Sequence, residues 1–195
     1  MKNNLFPKLI RDVSHCRACT HVLPHDPRPI IQVNKQAKLL IIGQAPSLRV
    51  HQTGILWNDA SGKRLREWIG LSNQIFYDET RVAILPMGFC YPGKGKHGDL
   101  PPQKACFPLW HRKLTIGMPN IQLTLLLGHY AHQAYLKKTR KKSLTATVQA
   151  WEEYLPHYLP FPHPSPRNNI WLRKNNWFEK DVIPATKQII NSILN

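Results

Sequence analysis

Four cysteines in two pairs are the residues of this chain best equipped for chemistry. Cys16 and Cys19 form a Cys-x-x-Cys, and Cys90 and Cys106 lie far downstream with fifteen residues between them. Four thiolates can close a tetrahedral site around zinc or hold an iron–sulfur cluster. A second set of reactive side chains sits on three short segments. These are Gly43-Gln44-Ala45-Pro46-Ser47, Asp59-Ala60-Ser61-Gly62 and His163-Pro164-Ser165-Pro166-Arg167. Gln44 and Asp59 can orient a water, and His163 can donate to a developing anion.

These segments must be positioned by regular elements. Lys38–Ile42 is a short apolar run ending at Gly43, which predicts a buried strand feeding the first polar segment. Arg81–Leu85, Gln122–Leu127 and Tyr158–Phe161 read as three further strands. Helices are expected over residues 4–14, from Ser61 through Leu65, Trp68 and Ile69, from His129 to about Lys138, and over 179–194. Pro101 and Pro102 suit the first turn of a helix that would carry Cys106. Residues 21–36 read as a loop, and the basic run 137–142 as a solvated turn within reach of phosphate. Strands alternating with helices predict an α/β fold, a three-layer α/β/α sandwich around a central, mainly parallel four-stranded sheet. Ligands of such sheets bind at the carboxyl ends of the strands, where the Gln44 and His163 segments would meet.

At 195 residues the chain (1–195) is expected to form one domain. Lys and Arg total 27 against 11 Asp and Glu, a formal net charge of +16. That excess predicts a polyanionic partner, most simply nucleic acid, the alternative being a protein merely kept dissolved by its charge. No apolar run is long enough to span a bilayer, and no long basic amphipathic helix points to a membrane surface. The start, MKNNLFPKLIRD, lacks the apolar region of a signal peptide. A cytoplasmic location is therefore expected, where thiols stay reduced and a metal site is favoured over disulfides.

In order and spacing these segments resemble the uracil-DNA glycosylase superfamily, over most of residues 16–168. Gly43–Ser47 is similar to its first motif, which shapes the base pocket, and His163–Pro166 to its second, which acts on the leaving base and the DNA backbone. The cysteine pattern resembles the iron–sulfur branch (family four). Thr53-Gly54 through Asp59-Ala60-Ser61-Gly62 resembles the double-strand branch, family five. Two positions depart: Gln44 stands where the iron–sulfur branch has Glu, and Leu85–Phe89 contains no Asn to read a uracil edge.

The resemblance implies roles. Trp57 would stack on the flipped base, the alternative being an ordinary core or surface Trp. His163 would donate to uracil O2. Asp59 would orient the attacking water and stabilise the sugar cation, unless it or Ser61 simply caps the next helix. Gln44 is a second candidate for water or base. Gly43 and Ala45 would line the base pocket, and Ser47 and Ser165 would hydrogen-bond phosphate. Arg167 would fill the gap left by the flipped base or grip a phosphate, the plainer reading being a solvated loop charge. Lys94, Lys96 and His97 would meet the DNA backbone. Cys16, Cys19, Cys90 and Cys106 would hold a structural [4Fe–4S] cluster, with zinc as the alternative.

The resulting expectation is a monomeric DNA-repair glycosylase that removes uracil or a related deaminated base by base flipping. A non-catalytic nucleic-acid-binding module with the same fold and cluster is the first rival, and a zinc-stabilised enzyme acting on a nucleotide or RNA the second.

Overall fold

The apolar runs form the strands expected of them. The computed structural model describes residues 5–96 and 98–195, so His97 lies outside the described residues, as does the first residue of the helix expected over 4–14. In chain order the elements are α1 (Leu5–Ser14), β1 (Leu39–Ile42), α2 (Leu48–Thr53), α3 (Ala60–Ile69), α4 (Asn73–Phe76) and β2 (Val82–Ile84). A two-residue hairpin follows, β3 (Lys94–Gly95) and β4 (Gly98–Asp99). After it come α5 (Arg112–Ile116), β5 (Leu123–Leu127), α6 (His129–Leu136), α7 (Leu144–Gln149), β6 (Tyr158–Phe161), α8 (Asn169–Lys174) and α9 (Ile183–Leu194).

The main sheet has the order β2-β1-β5-β6, and every pairing in it is parallel. Its register places Leu39 beside Val82 and Leu123, and Leu127 beside Phe161. Successive side chains of a strand point to opposite faces, so a sheet covered on both is apolar at nearly every position, with Thr124 of β5 a buried polar exception. Leu39, Ile41, Val82, Ile84, Leu123, Leu125, Leu159 and Phe161 join one core; Leu40, Ile42, Ala83 and Leu126 join the other. The first core is closed by Leu65, Trp68 and Ile69 of α3 with Phe178, Ile183 and Ile190 from the C-terminal end, Trp68 meeting Phe178 edge-on at 5.0 Å. The second is closed by Phe6 and Val13 of α1, Leu114 of α5, and Ala131 and Leu136 of α6. Burying each such Leu, Ile or Phe stabilises the fold by about 1.5–3 kcal/mol. The expected three-layer sandwich is thus present.

Two local expectations are corrected. Helical structure after the cysteine loop starts at Cys106 with a π turn over Phe107–His111 that leads into α5, so Pro101 and Pro102 lie in irregular chain ahead of it. Ser61 sits inside the first turn of α3, and Asp59 is the cap, its Oδ1 accepting from the Gly62 N–H at 2.9 Å. The basic run 137–142 begins where α6 ends, eight residues or about 12 Å along the helix from the strand edge where α6 starts.

Candidate active site

All four sheet strands run the same way, so their carboxyl ends share one edge, where ligands of parallel sheets bind. β1 opens there into Gly43–Ser47, and β6 into the loop carrying His163 and Arg167. Between them lies a cavity of about 640 Å³. Gly43, Gln44, Ala45, Ser47, Trp57, Asp59, His163, Ser165 and Arg167 all line it.

Trp57 is held in an uncommon conformation. Its φ is +56°, a left-handed value that costs a bulky residue energy and persists only where surroundings enforce it. The enforcement is visible. Arg66 Nη1 donates to the Trp57 carbonyl at 3.2 Å and reaches the Tyr77 hydroxyl at 3.3 Å; that hydroxyl donates to the Leu56 carbonyl at 2.9 Å. Glycine is required on two sides. A Cβ on Gly62 would lie 1.7 Å from the Trp57 carbonyl oxygen, and one on Gly43 would lie 2.8 Å from Trp57 Cζ2. The indole meets the His163 ring at 5.6 Å between centroids, tilted by 34°. Rings this close are in direct contact. They form one wall of the cavity, with no slot between them for a third ring.

The bonds around His163 assign its tautomer. The Ser165 N–H donates to Nδ1 at 3.2 Å, so Nδ1 carries no proton and Nε2 does. Asn168 Nδ2 donates to the His163 carbonyl at 2.7 Å, and a Cβ on Gly128, at φ +81°, would lie 3.3 Å from the His163 Cβ. Burial lowers the His163 pKa below its ordinary value, against an opposing pull from Asp59. The ring is therefore neutral at pH 7 and offers an Nε2–H donor.

Asp59 has both oxygens engaged: Oδ1 caps α3, and Oδ2 accepts from Ser47 Oγ at 3.4 Å. Ser47 in turn caps α2, its Oγ accepting from the Val50 N–H. Gln44 turns its amide nitrogen to the Leu100 carbonyl at 3.4 Å. Ser165 Oγ accepts from the Arg167 N–H, and the Ser165 carbonyl accepts from Arg64 Nη1 at 3.2 Å. Arg64 was not foreseen, nor was a second carboxylate lining the cavity, Asp99. Asp99 is exposed at the cavity rim; partial burial, and the charge of Asp59, raise its pKa, while the positive charge of Arg167 and Lys94 lowers it. An acid embedded among Lys94, Lys96 and glycines was the sequence signal that could have found it.

The four cysteines are free thiols on neighbouring segments. Cys16 and Cys19 follow α1, Cys90 follows β2, and Cys106 opens the π turn. Burial is the main cause that pushes Cys90 up to about 12 and Cys106 up to about 11, and both also feel Cys16 and Cys19. Two backbone N–H groups point at sulfur, Phe89 at Cys106 Sγ (3.5 Å) and Arg28 at Cys90. Such bonds favour anionic sulfur. Among the described residues no three His, Cys, Asp or Glu side chains are gathered to hold a metal ion. The cysteine segment abuts the cavity's own scaffold. His25 stacks on His51 of α2 at 5.1 Å, and Arg28 donates to the His51 and Gln52 carbonyls.

No helix of the described residues is long and apolar enough to cross a membrane. Compared with models of protein families, residues 30–187 match the one described as "Uracil DNA glycosylase superfamily".

Proposed function

The chain belongs to the uracil-DNA glycosylase superfamily, and on that premise we propose that it is a monofunctional DNA-repair hydrolase. It flips uracil, or a related deaminated base, out of DNA and hydrolyses the N-glycosidic bond, leaving an abasic site. The observation that carries this reading is the neutral His163 in contact with Trp57 on one cavity wall, its Nδ1 closed by Ser165 and its Nε2–H left as the donor.

Each residue has a role in that reading. The net charge of +16 draws in the phosphate backbone. Trp57 stacks on the extruded base, a contact worth about 1–3 kcal/mol in other proteins. As the C1′–N bond breaks, its electron pair passes to the base, and the His163 Nε2–H donates to the base oxygen where negative charge grows. One such donor is worth about 10²- to 10³-fold in rate. Asp59 faces the positive charge that develops on the sugar. Arg167, Lys94 and Lys96 would grip the strand phosphates. One chain supplies every one of these groups, so a monomer suffices.

Cys16, Cys19, Cys90 and Cys106 would hold a [4Fe–4S] cluster, which would supply a structural tie between the N-terminal segment and the Cys90–Cys106 loop. Iron and sulfide analysis of anaerobically purified protein decides between this and zinc; zinc without sulfide would replace the cluster.

The reading is tested by incubating that protein with oligonucleotides carrying uracil, hypoxanthine or xanthine, single-stranded or paired, then breaking abasic sites with alkali. Strand cleavage at one lesion is expected. DNA binding with no cleavage at any of them would make the chain a binding module instead.

A further inference from the structure

The geometry points to Asp99, on the hairpin between the paired cysteines, as the catalytic carboxylate that orients the attacking water; the inference rests on the glycosylase reading above. Two carboxylates are available, since Asp59 and Asp99 both line the cavity. Asp59 is committed, one oxygen to the α3 cap and the other to Ser47. Gln44 also lines the cavity, but a carboxamide cannot take a proton from water.

Asp99 is placed by the cavity's own motifs. Its hairpin pairs Lys94 with Asp99, and the Leu100 N–H closes on the Gly93 carbonyl at 2.8 Å. Gln44, from the first motif, donates to Leu100, the next residue after Asp99. Arg167, from the second motif, lies across the hairpin so closely that a Cβ on Gly98 would fall 1.8 Å from its Nη1. The hairpin is thus tied to both motifs at the residues flanking Asp99. Among the described residues, the charged groups facing Asp99 are Arg167, Lys94 and Asp59, and its charge is felt by Tyr91.

Charge supplies the second argument. In a chain with 27 basic and 11 acidic residues, a carboxylate at the mouth of a phosphate-binding cavity opposes DNA binding. A cation developing at C1′ gives it a favourable partner. In the step it serves, the C1′–N bond breaks with its electron pair leaving on the base, the water oxygen bonds C1′, and the water proton passes to the Asp99 carboxylate and on to solvent. A carboxylate of raised pKa is the better proton acceptor.

The test is single-turnover cleavage of the preferred lesion by the parent, Asp99→Asn, Asp99→Glu and Asp59→Asn, followed from neutral pH into the acid range, with DNA affinity measured in parallel. Asp99→Asn should lose about 10²- to 10⁴-fold in rate while binding DNA no more weakly than the parent, since a charge that opposes the phosphates is gone, and Asp99→Glu should recover part of the rate. The acid limb of the rate profile should vanish in Asp99→Asn and persist in Asp59→Asn. An Asp99→Asn variant that cuts as fast as a cutting parent, or that keeps the acid limb, overturns the inference alone. A parent that binds DNA but cuts no lesion overturns the glycosylase reading and this inference with it.

Discussion

The Ser165 N–H donates to Nδ1 of His163 at 3.2 Å, and this bond decides which proton the imidazole can offer to a leaving base. With Nδ1 closed and burial holding the ring neutral, His163 acts as a fixed donor. His163→Ala should therefore cut about 10²- to 10³-fold more slowly with nearly unchanged DNA affinity. His163→Gln, which keeps a donor of similar reach, should recover part of the loss. Single-turnover rates check this, and an alanine variant at parental speed would remove His163 from the chemistry.

Trp57 is strained at φ +56° and held by Arg66, Tyr77 and the bare Cα of Gly62. Gly62→Ala puts a methyl group 1.7 Å from the Trp57 carbonyl, so the loop must move. Melting should occur at lower temperature and lesion binding should weaken together. Arg66→Ala removes the clamp without that clash. It should cost less stability while still weakening the lesion-containing complex relative to undamaged DNA. Equal binding of the two DNAs by both variants and parent would show that Trp57 does not read the base.

Asp59 combines a cap with a charge, and two substitutions separate them. Asparagine caps helices as well as aspartate does, whereas alanine forfeits about 1 kcal/mol. Asp59→Asn should melt with the parent yet cleave more slowly, because the carboxylate facing the sugar is gone. Asp59→Ala should lose both stability and rate. If Asp59→Asn cleaves at the parental rate, the residue is a cap and nothing more.

The sheet was legible because a strand buried on both faces is apolar at nearly every position, as Leu39–Ile42 is throughout and Tyr158–Phe161 is from Leu159 on. The motif residues were legible because loops at the carboxyl edge of a parallel sheet must meet. What stayed hidden depends on tertiary contact. Asp59 and Ser61 are both good capping types two positions apart, and only the chain's path selects Asp59. Nothing in the residue type of Trp57 announces a positive φ; Arg66 and Gly62 impose it. Asp99 reaches the cavity through a hairpin pinned by Gln44 and Arg167, a proximity that no local pattern encodes. The short helices α2, α4, α7 and α8 have too few residues for an apolar period to emerge.

Two buried histidines make stability depend on acid. His111 and His132 are both lowered from 6.5 to about 4 by burial. His111 is saturated in its neutral form, Nε2 donating to the Pro86 carbonyl at 3.0 Å and Nδ1 accepting from the Tyr135 hydroxyl at 2.8 Å. His132 Nε2 donates to the Leu126 carbonyl at 3.1 Å. In the unfolded chain both would protonate near the ordinary value, so between the two pKa values the unfolded state binds more protons. Stability is then full above about pH 6.5 and is lost as pH falls toward about 4, by up to about 1.4 kcal/mol per pH unit for each histidine. Melting temperature should drop steadily across that window. His111→Gln, which can keep the bond to Pro86, should flatten the drop by roughly half of what the pair contributes, since one of two equal groups is gone. A parental melting temperature independent of pH over the window would show that neither histidine is held neutral.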